Sequence, residues 1–458
     1  MQTDRRTFLQ SIGAGFGTLA ANALLASDGK KPHFAPKADS VIFLFMYGGP
    51  SQVDTFDPKP ALKEWADKPV PVYKKEDGFF QDETKPTAMP SPWEFKKYGQ
   101  SGIDISGLLP NISRHADKLC VIRSMHADSN NHGPALNQMN SGFIRPGFPT
   151  MGSWLGYGLG NASNDLPGYI VLLDKNGAPV NGTINWSNGF MPARYQGIPF
   201  RSQGVPIANL SRPEGISEMD QRARLDFLKE QNEKYAWLHP DDSALQARIE
   251  AYELAFRMQS AAPEVTDLSL ETDFTRKAYG LDNETTKYFG RNCLLARRLV
   301  ERGVRFVQIY SGGNTGPSAW DAHKDLFGNH SRQCAQTDLP VATLLSDLES
   351  RGLLERTLVI WGGEFGRLPT HQGSKGRDHN PFGFTYWLAG GGIKPGHIHG
   401  ASDDFGYHAA EDKVHVHDLH ATIFHLLGLD HKDLTYAHMG RDYRITDVAG
   451  EVVHSLLA

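Results

Sequence analysis

Cysteine is scarce in this chain: three residues in 458, at Cys120, Cys293 and Cys334. They lie too far apart for a paired zinc-ligand spacing or a disulfide framework, and read as free or buried thiols without chemistry. Strong net charge is missing too. A formal balance of −5 at pH 7 excludes a partner held by bulk charge, nucleic acid above all. Also absent is any run of about 20 strongly apolar residues, the length a stable membrane span needs. No internal repeat and no low-complexity tract interrupts the chain. What is present has the composition of a soluble globular protein, long enough for a large core.

The N-terminus is unlike the rest. "DRRTFLQ" leads into "SIGAGFGTLAANALLA", a weakly apolar, Gly/Ala-rich stretch. Adjacent Arg5 and Arg6, then Phe8 and Leu9, then the small residues of Ala21–Ala23, resemble a twin-arginine export signal. Residues 1–26 are therefore expected to be a signal peptide, 27–39 a linker and 40–458 the folded domain. The expected partner at that stage is the twin-arginine export machinery, and the expected location periplasmic or extracellular.

Six apolar runs read as buried strands: "SVIFLFMYGG", "KLCVIRSM", "GYIVLL", "VRFVQIY", "TLVIWGG" and "FGFTYWLAGGG". Helices are expected between them. "PALNQMNSG" closes at Gly142, and a helical segment covers roughly 217–302. Within it Leu245, Ile249, Tyr252 and Phe256 share one face by spacing. A further helix is expected after Pro340, and a late one in "HDLHATIFHLLGL". Residues 56–100 read as irregular, and 174–200, rich in Gly, Asn and aromatics, as a loop that serves as lid, sugar platform or inert insertion. Strands alternating with helices predict an α/β fold with a largely parallel sheet, whose ligands bind beyond the strand carboxyl ends.

Those ends carry the chemistry. The first run is followed by Asp54 and Asp57, the second by His126, Asp128 and His132. The fourth is followed by Asp321 and His323, the fifth by Glu364 and Arg367 and then Asp378 and His379. Asp54, Asp321, His323, Glu364 and His379 make a candidate ligand set. Mixed carboxylate and imidazole donors suit zinc, manganese or iron better than magnesium or calcium. Arg367 would stay free to grip an anion bidentately. Duller roles compete: "DTFDP" has turn chemistry, Asp321 could cap a helix, and Glu364 could simply pair with Arg367.

The stretches "LFMYGGPSQVDTFDPKP", "NNHGPALNQMNSG", "WDAHKD", "GGEFGRLP", "GRDHNPFGFTYWLAGGGIKPG" and "HDLHATIFHLLGLD" together resemble the exported family catalogued as domain of unknown function 1501. That family looks like a branch of the alkaline phosphatase and sulfatase superfamily. The resemblance runs from about residue 38 to the end. It implies a three-layer α/β/α sandwich with a central mostly parallel sheet and a metal-centred site. Asp321 and His323 resemble the Asp and His given to one metal, and His379 the later histidine of that site. Phe365 stands where relatives carry a second ligand beside Glu364. Gly48 and Gly49 stand where relatives place a first-strand Asp, leaving Asp54 as the candidate and arguing against a full two-metal site. The sulfatase nucleophile position falls on His132. An imidazole can attack phosphorus but cannot become formylglycine.

The expected function is a hydrolase of phosphate or sulfate esters, phosphatase-like rather than a formylglycine sulfatase, dependent on a divalent metal, zinc or manganese. Its substrate would be a small-molecule or polysaccharide anionic ester. His132 would act as nucleophile, ligand or general acid/base, and Arg367 would hold the anion. The alternative is a catalytically inactive scaffold that binds metal or anionic polysaccharide.

Overall fold

The structure, a computed structural model, describes residues 31–72, 86–201, 206–207, 210, 212, 214–238, 243–314 and 318–458. The expected signal peptide lies outside the described residues.

All six apolar runs form strands of one sheet. They are β1 (Ser40–Met46), β2 (Cys120–His126), β3 (Tyr169–Leu172), β5 (Phe306–Ser311), β6 (Thr357–Gly362) and β7 (Phe384–Ala389). Three short strands join them: β4 (Ile198–Phe200), β8 (His397–His399) and β9 (Val414–His415). The order across the sheet is β8-β2-β7-β6-β1-β5-β3-β4, with β9 also paired to β2. Every pairing is parallel except those of β7, which runs antiparallel between β2 and β6.

The unbroken apolar runs follow from burial on both faces. Alternate residues of β1 point to opposite sides. Ile42, Leu44 and Met46 join one core with Leu294 of α5 (Lys287–Glu301) and Leu344 of α6 (Leu326–Ser350). Val41, Phe43 and Phe45 join the other. That second core takes Leu136 of α1 (His132–Ser141), Trp154 of α2 (Met151–Leu159) and Ile423 of α7 (Val416–Leu426). This is a three-layer α/β/α sandwich around a mostly parallel sheet. No helix among the described residues is long and apolar enough to cross a membrane.

Three expectations need correction. The helix expected to begin after Pro340 begins at Leu326, where the Asp325 side chain accepts from the Gly328 N–H, and Pro340 lies inside it. Leu326 and Cys334 before the proline and Leu344 and Leu348 after it are all buried. Packing of both halves outweighs the one backbone bond that proline removes. The segment near 217–302 is helical, with α3 (Glu218–Leu238) and α4 (Ser243–Thr266) side by side. The buried stripe of α4 runs through Ile249, Met258, Ala262 and Val265. Tyr252 stays 43% exposed, and Phe256 carries the Arg222 guanidinium of α3 over its ring. Spacing identified the helix, but its neighbours chose the face. Finally, residues 56–100 are not wholly irregular: Phe95–Tyr98 forms an antiparallel hairpin with Ile103–Ser106.

Candidate metal centre

Four segments meet at one rim of the sheet. β1 leads into Gly48 and Gly49, both at positive φ (110° and 87°). A Cβ on Gly48 would lie 2.6 Å from the backbone nitrogens of Trp320 and Asp321, so only glycine lets the segment after β5 come so close. That segment is pinned by the Trp320 N–H, which donates to the Tyr47 carbonyl at 2.8 Å. Beyond β6, Gly366–Arg367 pairs antiparallel with His379–Asn380, setting His379 opposite Arg367. Because β7 is antiparallel, its start, and hence His379, comes to the rim where the parallel strands end. The fourth contribution is His132, the first residue of α1.

His132, Asp321, His323 and His379 each offer one ligand atom, and these atoms lie within 4.8 Å of one another. The Nε2 atoms of His323 and His379 are 2.9 Å apart. Both face Asp321 Oδ1, at 2.9 Å and 3.3 Å. His132 Nε2 is buried without a hydrogen-bond partner and stands 3.5 Å from Asp321 Oδ2.

The opposite ring nitrogens explain this orientation. His379 Nδ1 lies 2.6 Å from the Asn130 carbonyl oxygen, His132 Nδ1 2.7 Å from Glu364 Oε1, and His323 Nδ1 2.5 Å from Gln372 Oε1. A carbonyl and a carboxylate only accept, so each facing Nδ1 carries its proton. The neutral rings then present bare Nε2 lone pairs inward, beside a carboxylate. Four acceptors converging in this way repel one another unless a cation lies between them, and N₃O donor sets suit a divalent transition metal or zinc. The residues fit such an ion.

The titration behaviour describes the same centre holding protons instead. Burial disfavours the His132 cation, but the contacts with Asp321 and Glu364 outweigh it and carry the group up to about 9. Burial takes His379 down to about 3, against the pull of Asp321. Burial opposes charge on Asp321 too, yet the three facing histidines and the Arg367 charge hold it far below the usual carboxylate range.

Of the residues expected from sequence, Asp321, His323 and His379 meet in this cluster. His132, expected in a catalytic role, joins them in ligand position. The other three have different partners. Asp54 lies in a fully buried pair with Arg377 at 2.8 Å and accepts from the Ser51 hydroxyl at 2.5 Å. Glu364 lies behind His132 and accepts from the Gly48 N–H at 3.0 Å and 3.2 Å. Arg367 is fully buried. It donates to the carbonyls of Gly48, Gly49 and Arg377 and to Asp321 Oδ1 at 2.6 Å. Its guanidinium is therefore committed, and the expectation that it grips a substrate anion is corrected. Nor do Glu364 and Arg367 pair with each other among these contacts.

Phe365 lies 5.1 Å from the His132 ring and is stacked on His379 at 4.3 Å. His126 and Asp128 stay outside the cluster, where Asp128 pairs with His415 at 3.2 Å. Sequence reasoning missed the orienting roles of the Asn130 carbonyl and the Gln372 side chain. The Asn181 amide of the 174–200 loop donates to the Gly133 carbonyl at 2.8 Å, tying that loop to the start of α1.

The family described as "Protein of unknown function (DUF1501)" matches residues 38–457. No curated protein matches the sequence. Among solved structures, an alkaline phosphatase superfamily protein from Vibrio parahaemolyticus is similar at 10% identity and TM-score 0.37, over 88% of this chain and 69% of that one. The PsFucS1 sulfatase from Pseudoalteromonas sp. is similar at 13% identity and TM-score 0.37, over 90% and 70%. The lipoteichoic acid synthase LtaP from Listeria monocytogenes is similar at 10% identity and TM-score 0.36, over 93% and 80%.

Proposed function

This chain belongs to the DUF1501 family, and from that premise we propose that it is an exported, metal-dependent hydrolase of phosphate or sulfate esters. The observation that carries the reading is the convergence of three bare imidazole nitrogens on the Asp321 carboxylate at the rim of the sheet. His132, Asp321, His323 and His379 would hold the ion. A divalent ion in that position supplies Lewis acidity to an ester oxygen or to water.

The chain's own residues do the rest. Arg367 and the three imidazoles keep Asp321 ionised and aimed. Phe365 walls off one side of His132 and His379 with an apolar ring. The N-terminus of α1, which begins at His132, turns the positive end of its dipole toward the rim, where an anionic ester would approach. With Nδ1 on Glu364 and Nε2 facing the cluster, His132 acts as a ligand rather than as the attacking nucleophile. The substrate class is an anionic ester, of a small molecule or a polysaccharide, met in the periplasm or outside the cell after twin-arginine export.

One observation favours a second reading. Four protein donors would fill the shell of a four-coordinate ion, as in structural rather than catalytic zinc sites. A metal-holding scaffold without turnover follows from it. The experiment is to purify the mature protein, measure its metal content, and assay aryl phosphate and aryl sulfate hydrolysis with and without chelator. Chelator-sensitive turnover that H323A and H379A abolish supports the hydrolase. Stoichiometric metal with no turnover on either ester supports the scaffold, and turnover indifferent to both variants overturns this site.

A further inference from the structure

Glu364 is fully buried on the far side of His132 from the cluster, a costly place for a carboxylate unless its charge is used. The contacts around it close a ring. The Gly48 N–H donates to both Glu364 oxygens, and the Gly48 carbonyl accepts from Arg367. Arg367 donates to Asp321, Asp321 faces His132 Nε2, and His132 Nδ1 returns to Glu364 at 2.7 Å.

From this circuit we propose that Glu364 is the positioning residue of the metal centre. It fixes His132 in the Nδ1–H tautomer with Nε2 inward, and its charge makes that nitrogen a stronger donor. The inference rests on the metal-centre reading and deepens it. The other two histidines are oriented by neutral oxygens, those of Asn130 and Gln372. His132 alone of the three has a carboxylate oxygen within hydrogen-bond distance of its Nδ1, at 2.7 Å, whereas Asp378 Oδ1 stands 3.7 Å from His323 Nδ1. A carboxylate bonded in this way is the partner that adds most to an imidazole's basicity. The circuit also couples the two anions. One residue, Gly48, ties Glu364 through its N–H to the arginine that holds Asp321 through its carbonyl, so the His132 and Asp321 donor atoms are set by a shared piece of backbone.

The test compares wild type with E364Q, which keeps the side-chain shape and an acceptor oxygen but removes the charge. Three readouts are taken: Co²⁺ stoichiometry, Co²⁺ affinity by competition with a chromophoric chelator, and the visible Co²⁺ spectrum. The expected result is one ion per chain in both proteins, the same band pattern, and affinity weakened about 10–100-fold in E364Q. Equal affinity in the two proteins overturns the inference. So does a band pattern in E364Q that reports a lost carboxylate donor, which would make Glu364 a ligand.

A second measurement does not depend on the variant folding. Zn²⁺-loaded wild type labelled with ¹⁵N-histidine, with H132Q used to assign the signal, should show Nδ1 protonated and Nε2 metal-bound at His132. Metal on Nδ1 overturns the proposal. Wild type that takes up neither ion overturns the metal-centre reading itself, and this inference with it.

Discussion

His323 and His379 face each other Nε2 to Nε2 across 2.9 Å, each with its other nitrogen turned to an oxygen. Two imidazoles so oriented cannot hydrogen-bond to one another while neutral, because neither inward nitrogen carries a proton.

An ion between them should therefore stabilise the fold. Zn²⁺ at a hundredfold excess over its dissociation constant should add about 2.7 kcal/mol to unfolding. Calorimetry of chelated and Zn²⁺-loaded protein checks it, with H323Q and H379Q expected to erase the difference.

Metal affinity should rise with pH. A proton on His132, whose value in the ion-free centre is about 9, must leave before Nε2 can bind. Between pH 6.5 and 9 the logarithm of the association constant should rise by about one per pH unit. In the ion-free protein the same raised value stabilises the fold fully below 6.5, and that contribution is lost as pH rises through about 9. Stabilisation by metal should therefore be greatest at alkaline pH, which melting curves at several pH values will report.

Acid should destabilise the protein through two other histidines. His330 Nε2 accepts from the Ser51 N–H at 2.9 Å. His420 Nε2 lies 2.9 Å from the Met139 carbonyl. Burial takes both down to about 3 from the ordinary 6.5. The folded state excludes a proton that the unfolded chain binds, so stability is lost as pH falls below 6.5 and continues to fall toward 3. Each site contributes on the order of a few kcal/mol. H330Q and H420Q should each flatten the acid limb of a stability–pH curve measured by urea unfolding.

Asp54 should prove structural. D54N leaves Arg377 buried without its charge partner and should cost about 3–5 kcal/mol, while the folded fraction still binds metal at wild-type stoichiometry. Loss of metal without loss of stability would contradict the buried pair seen at 2.8 Å.

Gly48 should tolerate no side chain. G48A places a Cβ 2.6 Å from Trp320 and Asp321 backbone at a φ of +110°. It should lower stability by a few kcal/mol and weaken metal binding along with it, since Asp321 must move. Equal losses of stability without any change in metal affinity would mean that the contact is only packing.

Much of the fold was legible because burial on two faces writes itself as unbroken apolar runs, and those runs mark the strands from Ser40 to Ala389 with glycines at several of their ends. The donors Asp321, His323 and His379 were legible because they follow strands that end on one rim. The roles of Asp54, Glu364 and Arg367 were not. A carboxylate after a strand looks the same in sequence whether it meets a metal, an arginine or a histidine.

The chain's residues by themselves determined the α/β layering, the positions of its strands and the stock of donors at their ends, because hydrophobic periodicity and local turn chemistry act over a few residues. Only the tertiary structure decided which donors meet. That depended on contacts more than 300 residues apart, such as Gly48 with Glu364 and with Arg367, and on the antiparallel course of β7. Distance along the chain carries no information about which buried charge will find which partner. Close approach of folded segments does.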